Sequence, residues 1–343
     1  LTPLVRERPV AFPEFIEDLW YGKHPLSIML APLGWCYQLL MTLRHLLYQS
    51  GIVPTQRLDI PVIVVGNIVV GGTGKTPLVI WLAAYLKEKG FKPGIISRGY
   101  KSKVKQWPQQ VRKDSNAELV GDEPVLLARR TNCPVAIAPN RYIAAAALIE
   151  HEQVDIIISD DGLQHYALER DIEIAVLDGV RRHGNGRCLP AGPLRESVAR
   201  LKNVDMIVCN GGAVRGEFEM EYVPQQLCSV MDENRRCDVE QFHNKSIHAI
   251  AGVGNPAKFF SYLRGKGIRT IEHEFADHYQ FKAEDICFDD GFPVVMTEKD
   301  AVKCTEFAST EHWFLPINVK MANAFEHRLT VLLKDICNGQ KTA

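Results

Sequence analysis

The chain has 343 residues, 46% of them hydrophobic, 24% charged and 8% aromatic; 40 Lys and Arg face 41 Asp and Glu, for a net charge of −1. These figures exclude collagen-like, fibrous and wholly disordered chains, and the mean hydropathy of −0.10 excludes a polytopic membrane protein. The length suggests about two domains of ~100–200 residues. Nine cysteines occur without a CxxC pair, so neither a disulfide framework nor a zinc ribbon is expected; scattered thiols fit a reducing, cytosolic compartment.

The first residue is Leu, and no cationic stretch followed by an apolar run and a small-residue cleavage site opens the chain, so no cleaved leader is expected. From His24 to Leu43 no Asp, Glu, Lys or Arg occurs. About 20 apolar residues are needed to cross a bilayer. Pro25, Pro32, Gly34, Gln38 and Thr42 weaken this run as a span, whereas Trp20, Tyr21, Trp35, Tyr37 and Tyr48 suit a headgroup boundary. Three readings stand: a helix lying in one leaflet, which the pattern favours, a single span, and a buried core helix.

Next comes the β-branched run Pro61 to Gly66, a buried parallel strand by composition. The turn Asn67 to Gly74 leads into Lys75-Thr76-Pro77, and apolar residues at 78, 79, 82, 83 and 86 predict a helix ended by Gly90. Strand, glycine-rich turn, Gly-Lys-Thr and helix form the context of a phosphate-binding loop. Gly71, Gly72, Thr73 and Gly74 would turn backbone N–H groups toward phosphate oxygens, Lys75 would reach the terminal phosphates, and the Thr76 hydroxyl would hold Mg²⁺. Val69 stands where the usual pattern has its first glycine.

Residues 92–113 carry seven cations and no acid. They read as a solvated loop, a lid over phosphates or a contact for anionic headgroups. Nucleic acid is not expected as a partner, because only Tyr100 and Trp107 are there to stack on bases. Asp122 and Glu123 precede an apolar run; Asp122 is either a helix cap or a base or metal ligand beside the phosphates. Val154 to Ser159 is another buried strand, ending in Asp160 and Asp161, a pair whose mutual repulsion a bound cation would offset. Further strands are expected at 172–177, 206–209, 248–251 and 293–297, helices at 258–264 and 322–337, and a polar linker at 216–244. The alternation predicts an α/β protein.

Together these motifs resemble tetraacyldisaccharide 4′-kinase, the lipid A 4′-kinase family of Gram-negative bacteria. The resemblance rests on Val65-Gly66-Asn67 with the run Gly71 to Pro77, Ser97-Arg98-Gly99-Tyr100, Gly121-Asp122-Glu123-Pro124, Asp160 to His165, Leu189 to Gly192 with Leu194-Arg195-Glu196, Asp277-His278-Tyr279 with Phe281, and Thr297 to Lys303. Each is short; their joint order is specific and covers most of the chain. The family also lacks the first glycine, so Val69 fits it. The resemblance implies a P-loop NTPase-like parallel-sheet domain (residues 51–225), a smaller α/β domain with a C-terminal helix (226–343) and an N-terminal membrane-associating helical segment (1–50). It implies ATP and Mg²⁺, a lipid disaccharide 1-phosphate as acceptor, and a place at the cytoplasmic face of the bacterial inner membrane, peripheral or monotopic. Asp122 and His278 would be the catalytic pair, aided by Lys75; Thr76, Glu123, Asp160 and Asp161 would hold the metal; Arg141, His165 and Arg195 would recognise the disaccharide. With Asp122 and His278 on different units, closure is expected to bring them together.

A switch-type GTPase or a partition-type ATPase at the membrane is the alternative. Guanine recognition needs Asn-Lys-x-Asp, and at Glu298-Lys299-Asp300 the lysine adjoins the aspartate; a partition ATPase needs a second lysine where Val70 stands.

Overall fold

The computed structural model describes residues 11–339. Nine strands form the main sheet: β1 (Val62–Gly66), β2 (Pro93–Ser97), β3 (Gln109–Val111), β4 (Val135–Ile137), β5 (Ile156–Asp160), β6 (Ile172–Asp178), β7 (Met206–Asn210), β8 (Phe218–Pro224) and, from the far end of the chain, β15 (Ile317–Met321). Their order is β15-β8-β7-β6-β1-β5-β2-β4-β3. All neighbours are parallel except the two edges, where β3 runs antiparallel to β4 and β15 to β8. β1, β5 and β6 are buried throughout, as continuous Val/Ile runs in a doubly covered parallel sheet should be. Alternation sends Ile63 and Val65 to one face, packed with the helices Lys75–Glu88, Asp122–Thr131 and Asn323–Cys337. Val62 and Val64 go to the other, packed with Arg141–Glu152.

A second sheet has the order β10-β9-β14-β13-β11-β12, built from β9 (Leu227–Ser229), β10 (Arg236–Cys237), β11 (Ser246–Ala251), β12 (Arg269–Glu274), β13 (Val294–Thr297) and β14 (His312–Leu315). The α/β class with a large and a smaller sheet is thus as expected. Two readings change. The polar stretch 216–244 is no linker: it supplies β8, β9 and β10. The smaller unit does not run to residue 343, because β15 and the final helix return to the large sheet, where Phe325 is fully buried against Trp81 and Phe218.

The N-terminal segment begins with helices Ala11–Tyr21 and Leu26–Met29 and continues as Ala31–Gln49; its first ten residues lie outside the described ones. The long helix packs through small residues. Gly34 lies so close to the loop after β6 that a Cβ there would sit 2.9 Å from the Cys188 carbonyl oxygen. Its other side shows Leu33, Trp35, Leu39, Leu40, Leu43 and Leu46 to solvent, each more than half exposed. Among the described residues no helix is long and apolar enough to cross a membrane. Neither the span nor the buried-helix reading therefore survives.

Candidate active site

The carboxyl ends of the central strands carry the site, as open parallel sheets dictate. After β1 the chain turns through residues 67–74. Gly71 and Gly74 take positive φ, 110° and 102°, and a Cβ on Gly74 would come within 2.8 Å of the Tyr222 hydroxyl. Fully buried Asn67 braces the turn from inside, its Nδ2 donating to the Gly71 carbonyl (3.3 Å) and to Thr73 Oγ1 (3.2 Å). The helix Lys75–Glu88 starts here and adds the positive end of its dipole.

Asp160 and Asp161 end the neighbouring β5. Asp161 is bound by Arg195 at 2.9 Å and Lys75 at 3.5 Å. Burial opposes its charge, but Lys75 and Arg195 outweigh burial and hold the carboxyl well below the usual range. Asp160 is the opposite case. It is 1% exposed, and its Oδ1 has no hydrogen-bond partner. Burial, followed by the nearby charges of Glu123 and Asp161, pushes it up to about 7. A buried, unpartnered carboxylate oxygen is costly unless a cation meets it. Among the described residues no three acidic, His or Cys side chains form a ready cage. That suits Mg²⁺, which binds through one or two carboxylates, waters and substrate phosphates. The open Asp160 oxygen, with the charges of Glu123 and Asp161 nearby, could meet such an ion.

A second cluster straddles the two sheets. Asp122 opens the helix Asp122–Thr131, and its two carboxylate oxygens each lie 3.0 Å from His278 Nδ1. His278 lies in the loop after β12 with φ of +62°, a conformation unusual outside glycine and seen at strained functional positions. Its ring meets the edge of Tyr100. Lys299, in the helix Glu298–Cys304, bonds Glu123 at 2.9 Å and Asp277 at 3.0 Å. Lys303 of the same helix pairs with fully buried Asp300 at 2.8 Å and reaches Asp122 at 3.9 Å. Burial would push Asp122 up, yet the His278 hydrogen bond and the charges of Lys299 and Lys303 hold it well below an ordinary carboxyl. The pair is already assembled, so no closure is needed to bring it together.

The expected sugar-recognition residues do not all face outward. Arg195 grips Asp161. Arg141 is 4% exposed, and its Nη2 donates to the backbone carbonyls of Asp160 (3.1 Å) and Asp161 (2.6 Å), bracing the acidic turn. Burial, then the charges of Arg141 and Arg170, pushes His165 down to about 4, so its ring is neutral at pH 7.

Several site contacts are not legible in the sequence. Asp178, at the end of β6, accepts from Lys258 Nζ at 2.6 Å, and Arg181 donates to the Gly254 carbonyl at 2.7 Å. These tie the second sheet to the phosphate loop so closely that a Cβ on Gly254 would lie 2.6 Å from the Gly72 nitrogen. The glycines of the run 252–256 were the available signal. Arg130 reaches across too, to Glu298 at 2.5 Å, and also bonds Asn318 of β15 in the first sheet.

The profile of the tetraacyldisaccharide-1-P 4'-kinase family matches residues 26–334. A tetraacyldisaccharide 4'-kinase of Nitrosococcus oceani is 49% identical over 323 residues, covering 94% of this chain and 95% of that protein. One from Legionella pneumophila is 46% identical over 311 residues, covering 91% and 95%. The crystal structure of an "apo" form of LpxK from Aquifex aeolicus in complex with ATP superposes with a TM-score of 0.77 at 29% identity, covering 91% of this chain and 99% of that one. With a profile match over residues 26–334 and a relative 49% identical over 323 residues, the chain belongs to the tetraacyldisaccharide-1-P 4'-kinase family.

Proposed function

We infer that this protein transfers the γ-phosphoryl group of ATP to the 4′-hydroxyl of a tetraacylated disaccharide 1-phosphate, a step of lipid A synthesis. The observation that carries the reading is the meeting of Asp122 with His278 beside a phosphate-binding loop. A sugar hydroxyl is a poor nucleophile, and phosphoryl transfer is mostly positioning plus charge stabilisation. Asp122 takes the hydroxyl proton as the new O–P bond forms and the bond between the β,γ-bridging oxygen and the γ-phosphorus breaks. His278 orients the carboxylate through Nδ1. Lys75 and the backbone N–H groups of residues 71–76 bind the phosphates. Thr76, Glu123, Asp160 and Asp161 would hold Mg²⁺, which would neutralise phosphate charge. Arg195 and His165 line the side from which the sugar approaches, with Arg141 supporting the turn beneath.

The leucine- and tryptophan-bearing face of the helix Ala31–Gln49 lies in one leaflet, at the cytoplasmic face of the inner membrane. Six exposed apolar side chains on one helix support this placement. One assay tests both readings: transfer of labelled γ-phosphate to tetraacyldisaccharide 1-phosphate in detergent and in vesicles. The lipid acceptor should be preferred by orders of magnitude over a deacylated disaccharide, and equal use of the two would remove the assignment. Serine at Leu39 and Leu43 should lower turnover in vesicles several-fold more than in detergent.

A further inference from the structure

Tyr166 and Glu196 touch neither phosphate nor sugar in the proposed mechanism, yet they join its parts. Both are buried, at 6% and 5% exposure. The Tyr166 ring seats the helix Ala31–Gln49. The rings of His45 and Tyr48 lie 4.7 and 5.8 Å from it, and the Arg44 guanidinium stands 5.8 Å from its centre. The Tyr166 hydroxyl donates to Glu196 Oε2. The other oxygen of Glu196 accepts from Gln164 Nε2 at 2.7 Å, and the same amide nitrogen donates to the Asn67 carbonyl at 3.0 Å. Asn67 in turn braces the phosphate turn at Gly71 and Thr73. Glu196 also adjoins Arg195, whose backbone N–H donates to the Ile68 carbonyl at 2.7 Å and whose guanidinium holds Asp161.

A carboxyl group buried this far is costly unless its oxygens are met, and here both are. An amide nitrogen carries two hydrogens, and Gln164 spends one on Glu196 and one on Asn67. A displaced Glu196 therefore withdraws support from the Asn67 carbonyl. We propose that Tyr166 is a positioning residue that links the helix Ala31–Gln49 to the phosphate loop, so that the seat of this helix sets the nucleotide site. This rests on the reading of residues 71–76 as that site. The ring answers to the helix; the hydroxyl carries the position through Glu196 and Gln164 to Asn67.

The test is titration of the full chain, in detergent with Mg²⁺, with a fluorescent non-hydrolysable ATP analogue and no acceptor. Tyr166→Phe keeps the ring under the helix and removes the hydroxyl; affinity should fall about three- to tenfold, as for one lost hydrogen bond. Gln164→Met should do the same, and the double variant should lose no more than the larger single one, because both cut one chain. A merely structural role would lower the melting temperature and leave the affinity of the folded protein unchanged. Gly34→Val works from the other end, since a Cβ there meets the Cys188 carbonyl oxygen at 2.9 Å and the Ala191 Cβ at 3.1 Å. It should weaken binding about threefold alone and not at all beside Tyr166→Phe. Wild-type affinity in folded Tyr166→Phe and Gln164→Met would overturn the proposal even if the Gly34 variant does not fold, and so would losses that multiply in the double variant. Equal use of acylated and deacylated acceptors would remove the acceptor assignment and leave this link standing, because the titration contains no acceptor.

Discussion

Two acidic clusters face each other across the site, and they are built differently. At the end of β5, Asp161 is neutralised by Lys75 and Arg195 while Asp160 keeps a buried oxygen with no partner. Between the sheets, Asp122 is bonded by His278 through both oxygens and backed by Lys303. The first cluster keeps a buried carboxylate oxygen with no hydrogen bond; the second pairs its carboxylate with an imidazole ring. Unmet negative charge in a dry place calls for a metal ion, whereas a satisfied carboxylate–imidazole pair suits proton transfer. On the proposed function, the two clusters divide the labour of phosphoryl transfer between them.

The comparison can be broken from the metal side first. Lys75→Ala should lower turnover by about 10³-fold, because Lys75 serves both the phosphates and Asp161; steady-state rates check it, and a loss below about tenfold would separate Lys75 from the chemistry. A smaller effect concerns pH. Asp160 is pushed up to about 7, above its unfolded value, so its ionisation opposes the folded state as pH rises toward 7. A cation binding there must displace the proton below that pH. Mg²⁺ affinity in the presence of nucleotide should therefore rise by about tenfold between pH 6 and pH 8. Calorimetry at pH 6 in buffers of different ionisation enthalpy should show a proton released; none released would assign the metal elsewhere.

Much of the first cluster is legible in the sequence because it is local. Gly71 to Thr76 are contiguous, and Asp160-Asp161 end a plain run of isoleucines. Asn67 belongs to the same turn as these glycines, but its buried brace of the turn is not visible from spacing. The second cluster depends on pairing across 156 residues of chain, from Asp122 to His278. Only the family resemblance joins them, and Lys299 stands only within the run Thr297 to Lys303, where spacing assigns it no role. The strands β8 and β15 are illegible for a different reason. β8, paired with β7 on one side and β15 on the other, alternates charged and apolar residues, Phe218-Glu219-Met220-Glu221, and so lacks the continuous apolar run that marks the central strands. β15 is five residues long, and its return to the first sheet depends on β8 as partner, so the boundary of the smaller unit could not be read from composition.

The division of labour is tested most directly by titrating Mg²⁺ and a non-hydrolysable ATP analogue into Asp122→Asn and measuring its turnover in parallel. The structure predicts nucleotide affinity within about threefold of wild type and turnover reduced by roughly 10²- to 10⁴-fold, the usual contribution of a positioned base. Turnover preserved, or nucleotide affinity lost in proportion to turnover, would contradict it.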